Sequence, residues 1–528
     1  MSDGAHESRD GRDSRDARGR RESRDGRETG HSARAAIRAV ASGFTEFEPP
    51  APADRSASGA ASAGDGRPDG PLDWHGYGAA RERARERTGE SESVVCGRAR
   101  IGAVHEGADG AVGAEVVLVS FEFGYLGGSL GARTGDRIAA AYEHARTHRL
   151  PLVSLIATGG SRMQEGMVAL SQLQRVARES VLARRAGVPQ LAVLRDPATG
   201  GGWATLGAGA DVVLALPGAQ VAFAGSRVRP EGADPAPYTA EGQHAAGHID
   251  QIVEPEELGA ALERWLVLLT SRSDGAAPPP DALPSGGPTP GKPPAGQGAP
   301  SPQALSAGRP LPDSVPASGQ EAVARARAAR RPRATAYLDA YFDWREEVRG
   351  DRCGGVDEGM LCGFGRRDGR TVAYAAQTGT ATRPSGFRTA ARLVRTADRL
   401  GIPVLTLIDT PGAANDAEAE SAGAGPAIAE VFAAVAEAEV PVTSLLIGEG
   451  GSGGALALAA PGRLWVTPDS YFSVIAPELA AAILKRPEGE VAAIADELML
   501  RPQDVVRLGV ARAVVEVRRG GARGSNAA

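Results

Sequence analysis

The fold is decided by the stretch RLPLVSLIATGGSRMQE (149–165), in which an apolar run ends on two glycines and is followed by polar residues. The stretch GIPVLTLIDTPGAANDAEAE (401–420) has the same pattern, and a shift of 252 residues places Gly160 on Gly412 without a gap. A pattern that returns at a fixed interval is the signature of an internal repeat. We therefore expect two copies of one structural unit.

The repeat continues into a second pair of stretches at the same shift. They are AGVPQLAVLRDPATGGGWATLGAGADVVLA (186–215) and AEVPVTSLLIGEGGSGGALALAAPGRLWVT (438–467). Each begins with an unbroken apolar run, which is typical of a parallel strand covered on both faces. A glycine-rich loop and a run of small residues follow. The sequence thus predicts an α/β fold, duplicated in tandem.

The segments after the first glycine loops carry apolar residues at helical spacing. In the first half these are Met163, Met167 and Leu170. In the second half they are Ile428, Val431 and Val435. Apolar residues on one face of a helix usually pack against the core, so we expect both sets to be buried.

Composition divides the chain into four segments. Residues 1–90 begin with Arg recurring at about every third position between acids, which predicts a disordered charged tail. Thirteen prolines between 278 and 316 predict a stiff Pro/Gly-rich linker over 271–320. The segments 91–270 and 321–520 remain, and each is long enough for its own core.

The charge balance and residue usage exclude several classes of protein. With 59 Lys and Arg against 65 Asp and Glu, the net charge of −6 argues against a nucleic-acid binder. The three cysteines are too far apart for a disulfide framework, and no apolar run is long enough for a membrane span or a signal peptide. A cytoplasmic protein is expected. Only Lys292 and Lys485 are lysines, and no histidine follows His248.

The glycine loops supply the candidate functional residues. Glycine lets the main chain approach a ligand closely, and N–H groups at the start of a helix can hold a developing oxyanion. The catalytic candidates are Gly201, Gly202, Gly453 and Gly454. The substrate-binding candidates are Gly159, Gly160, Arg162, Gly412, Ala413 and Gly451. Arg162 is either a contact for phosphate or carboxylate or a helix-surface charge, and both interpretations remain open.

Other chemistries fit the residues less well. The sequence GGSGG at 450–454 matches a nucleophile elbow, but this triad needs a downstream histidine, which the sequence lacks. A phosphate-binding loop with its lysine is also absent. His144 and His148 lie four residues apart on a predicted helix without the glutamate of a zinc-protease motif. No metal site is therefore expected.

At these residues the sequence resembles the carboxyltransferases of biotin-dependent acyl-CoA carboxylases. The first half is similar to the β subunit of bacterial acetyl-CoA carboxylase carboxyltransferase in FEFGYLGGSLG (121–131), ATGGSRMQE (157–165), DPATGG (196–201), FAGSRV (223–228) and GHIDQIV (247–253). The second half is similar to the α subunit in RPRATAYLDAYFDWREEVRGDR (331–352), IDTPGA (408–413), GEGGSGGALALA (448–459) and YFSVIAPE (471–478). The resemblance implies two tandem crotonase-like domains, each a ββα-spiral.

The resemblance also implies a reaction. A carboxyl group would pass from N-carboxybiotin on a carrier protein to acetyl-CoA, giving malonyl-CoA. Gly201 and Gly202 would form one oxyanion hole on the acyl-CoA side, and Gly453 and Gly454 a second one on the biotin side. Neither lysine lies in a biotinylation sequence, so no cofactor is expected to be bound covalently. A biotin carboxyl carrier protein, a biotin carboxylase and further copies in a homo-oligomer are the implied partners.

Two departures from the family pattern leave other functions open. Only Cys96 occurs where β subunits have a four-cysteine zinc ribbon, so no zinc is expected, and TGTATRPSGF (378–387) is shorter than the corresponding α-subunit segment. One alternative is a carboxylase of propionyl-CoA or another acyl-CoA. A second is a crotonase-type hydratase or decarboxylase that uses Glu165 and Glu449 as acid and base. A third is a non-catalytic scaffold.

Overall fold

The computed structural model describes residues 32–51, 67–102, 113–284 and 315–517. They divide into two compact units. The first comprises residues up to 243 together with 251–266, and the second comprises 244–250 together with residues from 267 onward. Each unit contains one eight-stranded sheet with helices packed on it. The predicted tandem α/β architecture is confirmed.

The first unit is built on a mixed sheet. Its strands are β1 (Ser42–Glu46), β2 (Val94–Ile101), β3 (Ala114–Phe121), β4 (Leu152–Thr158), β5 (Gln190–Thr199), β6 (Val212–Ala215), β7 (Val221–Ala222) and β8 (Gln251–Ile252). Its helices are α1 (Ala33–Val40), α2 (Tyr77–Thr88), α3 (Ala132–His148), α4 (Gly166–Leu170), α5 (Gln172–Arg185) and α6 (Gly200–Gly202). Helices α7 (Ala240–Ala245) and α8 (Leu258–Thr270) begin in this unit, and their last residues are assigned to the second. The order is β1-β2-β3-β4-β5-β6-β8, with β7 beside β5. Strands β1 to β3 pair antiparallel and the rest pair parallel.

The second unit repeats this arrangement. Its strands are β9 (Trp344–Glu347), β10 (Met360–Arg367), β11 (Arg370–Gln377), β12 (Val404–Thr410), β13 (Val442–Gly451), β14 (Leu464–Val466), β15 (Tyr471–Ser473) and β16 (Ala513–Val514). Its helices are α9 (Gly319–Arg327), α10 (Ala334–Tyr341), α11 (Pro384–Leu400), α12 (Ala417–Ser421), α13 (Ala424–Glu437), α14 (Ser452–Leu456), α15 (Pro477–Leu484), α16 (Val491–Glu497) and α17 (Pro502–Arg507). The order is β9-β10-β11-β12-β13-β14-β16, with β15 beside β13.

The duplication extends to the strand register. Strands β4 and β5 begin their pairing at Leu152 and Gln190, and β12 and β13 begin theirs at Val404 and Val442. Both partners of each pair are related by the shift of 252 found in the sequence. Helices α3 and α11 have 17 residues each, and α5 and α13 have 14 each. The first glycine loops of the two units therefore follow equivalent strands, β4 and β12, and the second glycine loops follow β5 and β13.

Local sequence explains where the central helices begin and end. All residues of β4 and β12 are buried, as their unbroken apolar runs predict. Helix α11 begins with Pro384, whose fixed φ suits the first helical position. It ends before Gly401, whose φ of +71° is the left-handed conformation in which glycine commonly terminates a helix. The chain then turns directly into β12.

The prediction of a disordered tail over 1–90 is wrong for part of that segment. Helix α1 packs on the first unit, with Ala33 and Ile37 buried, and the Ala33 N–H donates to Glu122 Oε2 at 2.8 Å. Strand β1 joins the edge of the sheet, and α2 buries Tyr77. A few apolar residues among many charges were enough to order these elements on an existing surface. Residues 1–31 and 52–66 lie outside the described residues.

The predicted linker over 271–320 is also wrong at both ends. Ala277, Ala282 and Leu283 are buried in the core of the second unit, and Thr443 Oγ1 donates to the Ala277 carbonyl at 2.8 Å. Helix α9 begins at Gly319, where the Ser318 side chain caps it. Proline-rich chain can pack as an extended strap, because it needs few hydrogen bonds of its own. The part of the linker between 285 and 314 lies outside the described residues.

The burial predicted for the two helical faces is half right. Val431 and Val435 of α13 are buried, as expected, whereas Ile428 is only half-buried. Met163, Met167 and Leu170 are exposed, so core packing is wrong for them. They lie in a short 3₁₀ turn and in α4, before the long helix α5 that packs on α3. In the described parts of the chain, no helix has the length and apolar character needed to cross a bilayer.

Candidate functional site: the two glycine loops

The first loop of the first unit follows β4. Gly160 has a φ of +108°, which favours glycine, and its N–H donates to Thr158 Oγ1 at 3.1 Å. The Gly160 carbonyl accepts from the Leu130 N–H at 2.8 Å, which ties the loop to the chain before α3. Gly159 is exposed beside it.

The second loop of this unit follows β5 and meets the first. Gly200 has a φ of +63°, and a Cβ on it would lie 2.9 Å from the Gly160 Cα. Gly201 and Gly202 are the second and third residues of the helical segment that starts at Gly200 and extends to Gly207. A Cβ on Gly202 would overlap Thr158 Cγ2. The two loops therefore need glycine to come this close.

The second unit repeats the first loop after β12. Gly412 has a φ of +144°, and its N–H donates to Thr410 Oγ1 at 3.1 Å, the same distance as in the first unit. Its carbonyl accepts from the Thr382 N–H at 3.2 Å. Ala413 forms a parallel bridge with Thr382, as Ser161 does with Leu130 at the same shift of 252.

The second loop of this unit again begins a helix. Gly453 and Gly454 are the second and third residues of α14. A Cβ on Gly451 would overlap the Pro411 carbonyl, and one on Gly454 would lie 2.5 Å from the Ala413 nitrogen. The close approach of the two loops is therefore a property of both units.

This geometry gives each unit a pair of main-chain donors. N–H groups in the first turn of a helix have no acceptor within that helix, and the helix dipole makes their end positive. Gly201 and Gly202 occupy these positions in one unit, and Gly453 and Gly454 occupy them in the other. Such a pair can stabilise negative charge that develops on an oxygen atom. All four catalytic candidates therefore lie in the first turn of a helical segment, and their role as oxyanion donors remains a prediction.

Arg162 is buried rather than exposed, so the helix-surface interpretation is wrong. Its guanidinium donates to both oxygens of Glu92, at 2.8 and 2.7 Å, and to Glu165 Oε1 at 3.2 Å. Glu165 also accepts from the Ala132 N–H and the Tyr77 hydroxyl, each at 2.5 Å. These carboxylates already hold the guanidinium, so its position supports a role in bracing the loop that follows Gly160.

The electrostatics of this brace depend on its burial. Burial on its own would raise the pKa of Glu92, but the charge and hydrogen bonds of Arg162 hold that pKa down, at about 2. Burial raises the pKa of Tyr77, so its hydroxyl remains a donor to Glu165. Arg162 and Glu92 are therefore both charged at neutral pH.

The second unit braces its loops with different residues. Asp409, at the end of β12, accepts from Arg331 Nη2 at 2.6 Å and from Arg333 Nη1 at 3.2 Å. Its carboxylate also accepts from the Glu449 N–H at 3.1 Å, which links β12 to the loop after β13. Arg331 and Asp409 are both buried. A buried carboxylate needs a charged or hydrogen-bonding partner. The presence of Asp409 in the apolar run of β12 was therefore the sequence signal for a partner such as Arg331.

Glu449 lies one residue before the second glycine loop and is held on one carboxylate oxygen. That oxygen accepts from Arg327 Nε and from the Tyr471 hydroxyl, each at 2.9 Å. Arg327 also donates to Glu478 Oε1 at 2.6 Å, and this hydrogen bond lowers the pKa of Glu478. The network joins α9, the loop and α15. Sequence reasoning found Glu449 but none of its partners.

The described residues contain no group of three or more His, Cys, Asp or Glu side chains that could hold a metal ion. The rings of His144 and His148 stack with their centroids 4.0 Å apart, and His148 Nδ1 lies 3.0 Å from the His144 carbonyl.

Two family descriptions match the chain, one in each half. Residues 101–253 match the carboxyl transferase domain, and residues 317–528 match the acetyl co-enzyme A carboxylase carboxyltransferase-like family. The acetyl-coenzyme A carboxylase carboxyl transferase subunits beta/alpha of Saccharopolyspora erythraea is 36% identical over 84% of this chain and 75% of its own length. A Mycobacterium bovis protein named "Probable biotin-dependent acyl-coenzyme A carboxylase beta3 subunit" is 32% identical over 82% of this chain and 81% of its own length.

Solved structures show the same fold at lower identity. The transcarboxylase 12S hexamer, with methylmalonyl-coenzyme A and methylmalonic acid bound, superposes with a TM-score of 0.66 at 20% identity, covering 97% of this chain and 94% of its own. A single-chain, multi-domain long-chain acyl-CoA carboxylase superposes with a TM-score of 0.64 at 18% identity, covering 97% of this chain and 48% of its own.

Proposed function

Because the chain belongs to the acetyl-CoA carboxylase carboxyltransferase family, we propose that it transfers a carboxyl group from N-carboxybiotin to acetyl-CoA, giving malonyl-CoA. The observation that carries the proposal is the duplicated pair of glycine loops, which are equivalent in register and place two helix-start amides in each unit. A transfer between a thioester and a ureido group needs two sites of this kind, because negative charge develops on an oxygen of each partner.

Each glycine pair has a defined task in this reaction. The N–H groups of Gly201 and Gly202 stabilise the thioester oxygen as the α-carbon loses its proton and becomes an enolate. The N–H groups of Gly453 and Gly454 stabilise the ureido oxygen of biotin as the C–N bond to the carboxyl group breaks. The freed ureido nitrogen takes the α-proton. The enolate carbon then forms the new C–C bond with the released carboxyl carbon. No histidine in the second half is required.

The contacts of the other candidate side chains agree with this division of roles. Glu165 accepts from Ala132, Tyr77 and Arg162, and Glu449 accepts from Arg327 and Tyr471. A hydratase would need these carboxylates to exchange protons with substrate and water. Carboxylates engaged in this way favour positioning roles, and the carboxyltransferase is the better proposal.

The acyl group is the least determined part of the proposal. Relatives include both acetyl-coenzyme A carboxylase subunits and an acyl-coenzyme A carboxylase subunit. One similar structure has methylmalonyl-coenzyme A bound, and another is a long-chain acyl-CoA carboxylase. Propionyl-CoA or another acyl-CoA is therefore the second candidate substrate. A carrier protein and a biotin carboxylase would supply carboxybiotin, and a homo-oligomer is expected.

The test is carboxyl exchange by the full chain. Malonyl-CoA and free biotin are incubated with the protein, and biotin-dependent formation of acetyl-CoA is followed by chromatography. Methylmalonyl-CoA and ethylmalonyl-CoA are tested in parallel, so that the preferred acyl group is measured in the same assay. Exchange with any of the three supports carboxyl transfer. Absence of exchange with all three, by a folded protein, rejects it.

A further inference from the structure

Each unit exposes an apolar side chain at the end of the short strand that runs beside its second glycine loop. Phe223 in the first unit is 74% exposed, and Val474 in the second is 72% exposed. Both follow a short strand whose last residue is buried, since Ala222 and Ser473 are each 5% exposed. The chain therefore turns outward at the same point in both units.

Strand pairing fixes where these residues lie. Ala222 of β7 pairs with Thr199, the last residue before the glycines of the first unit. Ser473 of β15 pairs with Gly451, the last residue before α14 in the second. Phe223 and Val474 come next in the chain, so each lies alongside the start of the helix that carries the proposed donors.

Single exposed apolar residues are ordinary on protein surfaces, but these two are exposed at equivalent strand ends beside equivalent glycine loops. The two residues differ in type, one aromatic and one β-branched, and they share only their place next to a glycine loop. Small-molecule sites typically combine apolar side chains with a few placed hydrogen-bond donors, and both are present at the end of each second glycine loop.

We infer that Phe223 and Val474 are the apolar contacts of the two substrates, with Phe223 packing on the acyl-CoA and Val474 on the biotin ring system. The inference rests on the proposed function and adds the side chains that distinguish one substrate from the other. Each side chain covers its ligand next to the oxyanion hole and excludes water from it. Each then contributes to affinity for its own ligand only.

The experiment measures the two Michaelis constants separately in the exchange assay. Phe223→Ala should raise KM for malonyl-CoA by about tenfold and leave KM for biotin unchanged, because an aromatic contact is lost. Val474→Ala should raise KM for biotin by about threefold and leave KM for malonyl-CoA unchanged. A positioning or folding defect would instead lower kcat or change both constants together.

Matched controls come from exposed apolar residues elsewhere in the same units. Val181 lies on α5, and Leu508 follows α17. Val181→Ala and Leu508→Ala should leave both Michaelis constants within about twofold of wild type, as expected for exposed positions outside the site. Light scattering is run on every variant, so that a surface used between copies is recognised from a change in mass.

The outcomes separate the inference from the proposed function. If the wild type exchanges carboxyl groups but neither substitution changes its own KM, the inference is wrong and the function stands. A drop in molar mass of the Phe223→Ala or Val474→Ala variant would assign that residue to a protein interface and also overturn it. If the wild type shows no exchange, saturation-transfer NMR with acetyl-CoA and with biotin decides: loss of each signal only in its own variant supports the contacts, and unchanged signals reject them.

Discussion

The two units hold the same main-chain geometry with different side chains. In the first unit the brace is Arg162, which lies inside the loop and binds Glu92. In the second unit Ala414 occupies the position equivalent to Arg162, and the brace is the pair of Arg331 and Asp409. Each pair is buried and joins a strand end or loop to a distant part of its unit. The position of the amides is therefore shared, whereas the means of holding them is not.

A second difference lies beside the donors. Glu449 precedes the glycines of the second unit, and Pro197 occupies the equivalent position in the first. Glu449 fastens α9 and, through Arg327, α15 to its loop. The first unit has no carboxylate at this position. The second glycine loop of the second unit is therefore held through a carboxylate of its own, whereas the charged brace of the first unit acts through Arg162 after the first glycine loop.

The largest effect is expected from breaking the braces. Glu92→Gln leaves the guanidinium of Arg162 buried without its main partner, and Asp409→Asn does the same to Arg331. Removing one partner of a buried pair costs about 3–5 kcal/mol. We expect a loss of that size in the free energy of unfolding for each variant, measured by urea denaturation of the full chain.

The exposed pair of Arg486 and Glu497 provides the control for that experiment. Glu497→Gln should change stability by at most about 1 kcal/mol, because exposed pairs contribute little. If Glu92→Gln and Asp409→Asn differ from each other as much as either differs from this control, the two braces are not equivalent.

The next effect tests whether both loops need glycine equally. A Cβ at Gly454 meets the main chain at Ala413, which cannot move without moving the loop, whereas a Cβ at Gly202 meets the side chain of Thr158. Gly454→Val should therefore reduce carboxyl exchange by about 10²–10³-fold, which corresponds to about 2.7–4 kcal/mol. Gly454→Ala should be more damaging than Gly202→Ala.

Gly425→Ala is the matched control, since Gly425 lies in α13 and a Cβ there would meet no atom within 4 Å. Circular dichroism and the Tm of each variant show whether the fold is retained. Near wild-type exchange by a folded Gly454→Val variant would remove α14 from the reaction and leave the second unit without its proposed oxyanion hole.

Acid should weaken the first brace in a predictable direction. Arg162 lowers the folded-state pKa of Glu92 to about 2, so this carboxylate stabilises the fold fully above its unfolded pKa of about 4.5 and loses that contribution as the pH falls toward 2. Between pH 5 and pH 3 the loss amounts to about 2 kcal/mol. Urea unfolding at both pH values should show this loss in the wild type and not in Glu92→Gln, and equal pH dependence of the two would contradict the assignment.

A smaller and more selective effect is expected at Glu449. Glu449→Gln weakens its contact with Arg327, so the second glycine loop of the second unit, proposed to bind biotin, loses part of its support. We expect kcat for exchange to fall about tenfold, equivalent to about 1.4 kcal/mol, with KM for malonyl-CoA unchanged. Glu449→Asp retains the charge and should restore part of the rate. A change in KM for malonyl-CoA alone would show that Glu449 supports acyl-CoA binding and would contradict this prediction.

The sequence predicted the main chain of the site better than its side chains. The shift of 252 related Gly160 to Gly412 and the pair Gly201 and Gly202 to Gly453 and Gly454, because a glycine loop after an apolar strand is a local pattern. The braces escaped prediction, because Glu92 and Arg162, or Arg331 and Asp409, are 70 and 78 residues apart and come together only in the fold. Helix α1 and the strap around Ala282 were missed for the same reason, since each is ordered by a surface that other segments build.

The smallest change in the free energy of unfolding is expected at Met167. Comparing it with Val431 tests whether apolar residues at helical spacing can be assumed to be buried. Met167 and Val431 both sit at apolar positions of a helical repeat, yet Met167 is exposed and Val431 is fully buried. Met167→Ala should therefore change the free energy of unfolding by no more than about 0.5 kcal/mol, as for other surface positions. Val431→Ala should cost more than that, because it removes buried methyl groups and leaves a cavity. If Met167→Ala proves as costly as Val431→Ala in urea denaturation, another surface must bury the Met167 side chain in the intact protein. The apolar spacing of Met163, Met167 and Leu170 would then indicate burial after all, as it does for Val431.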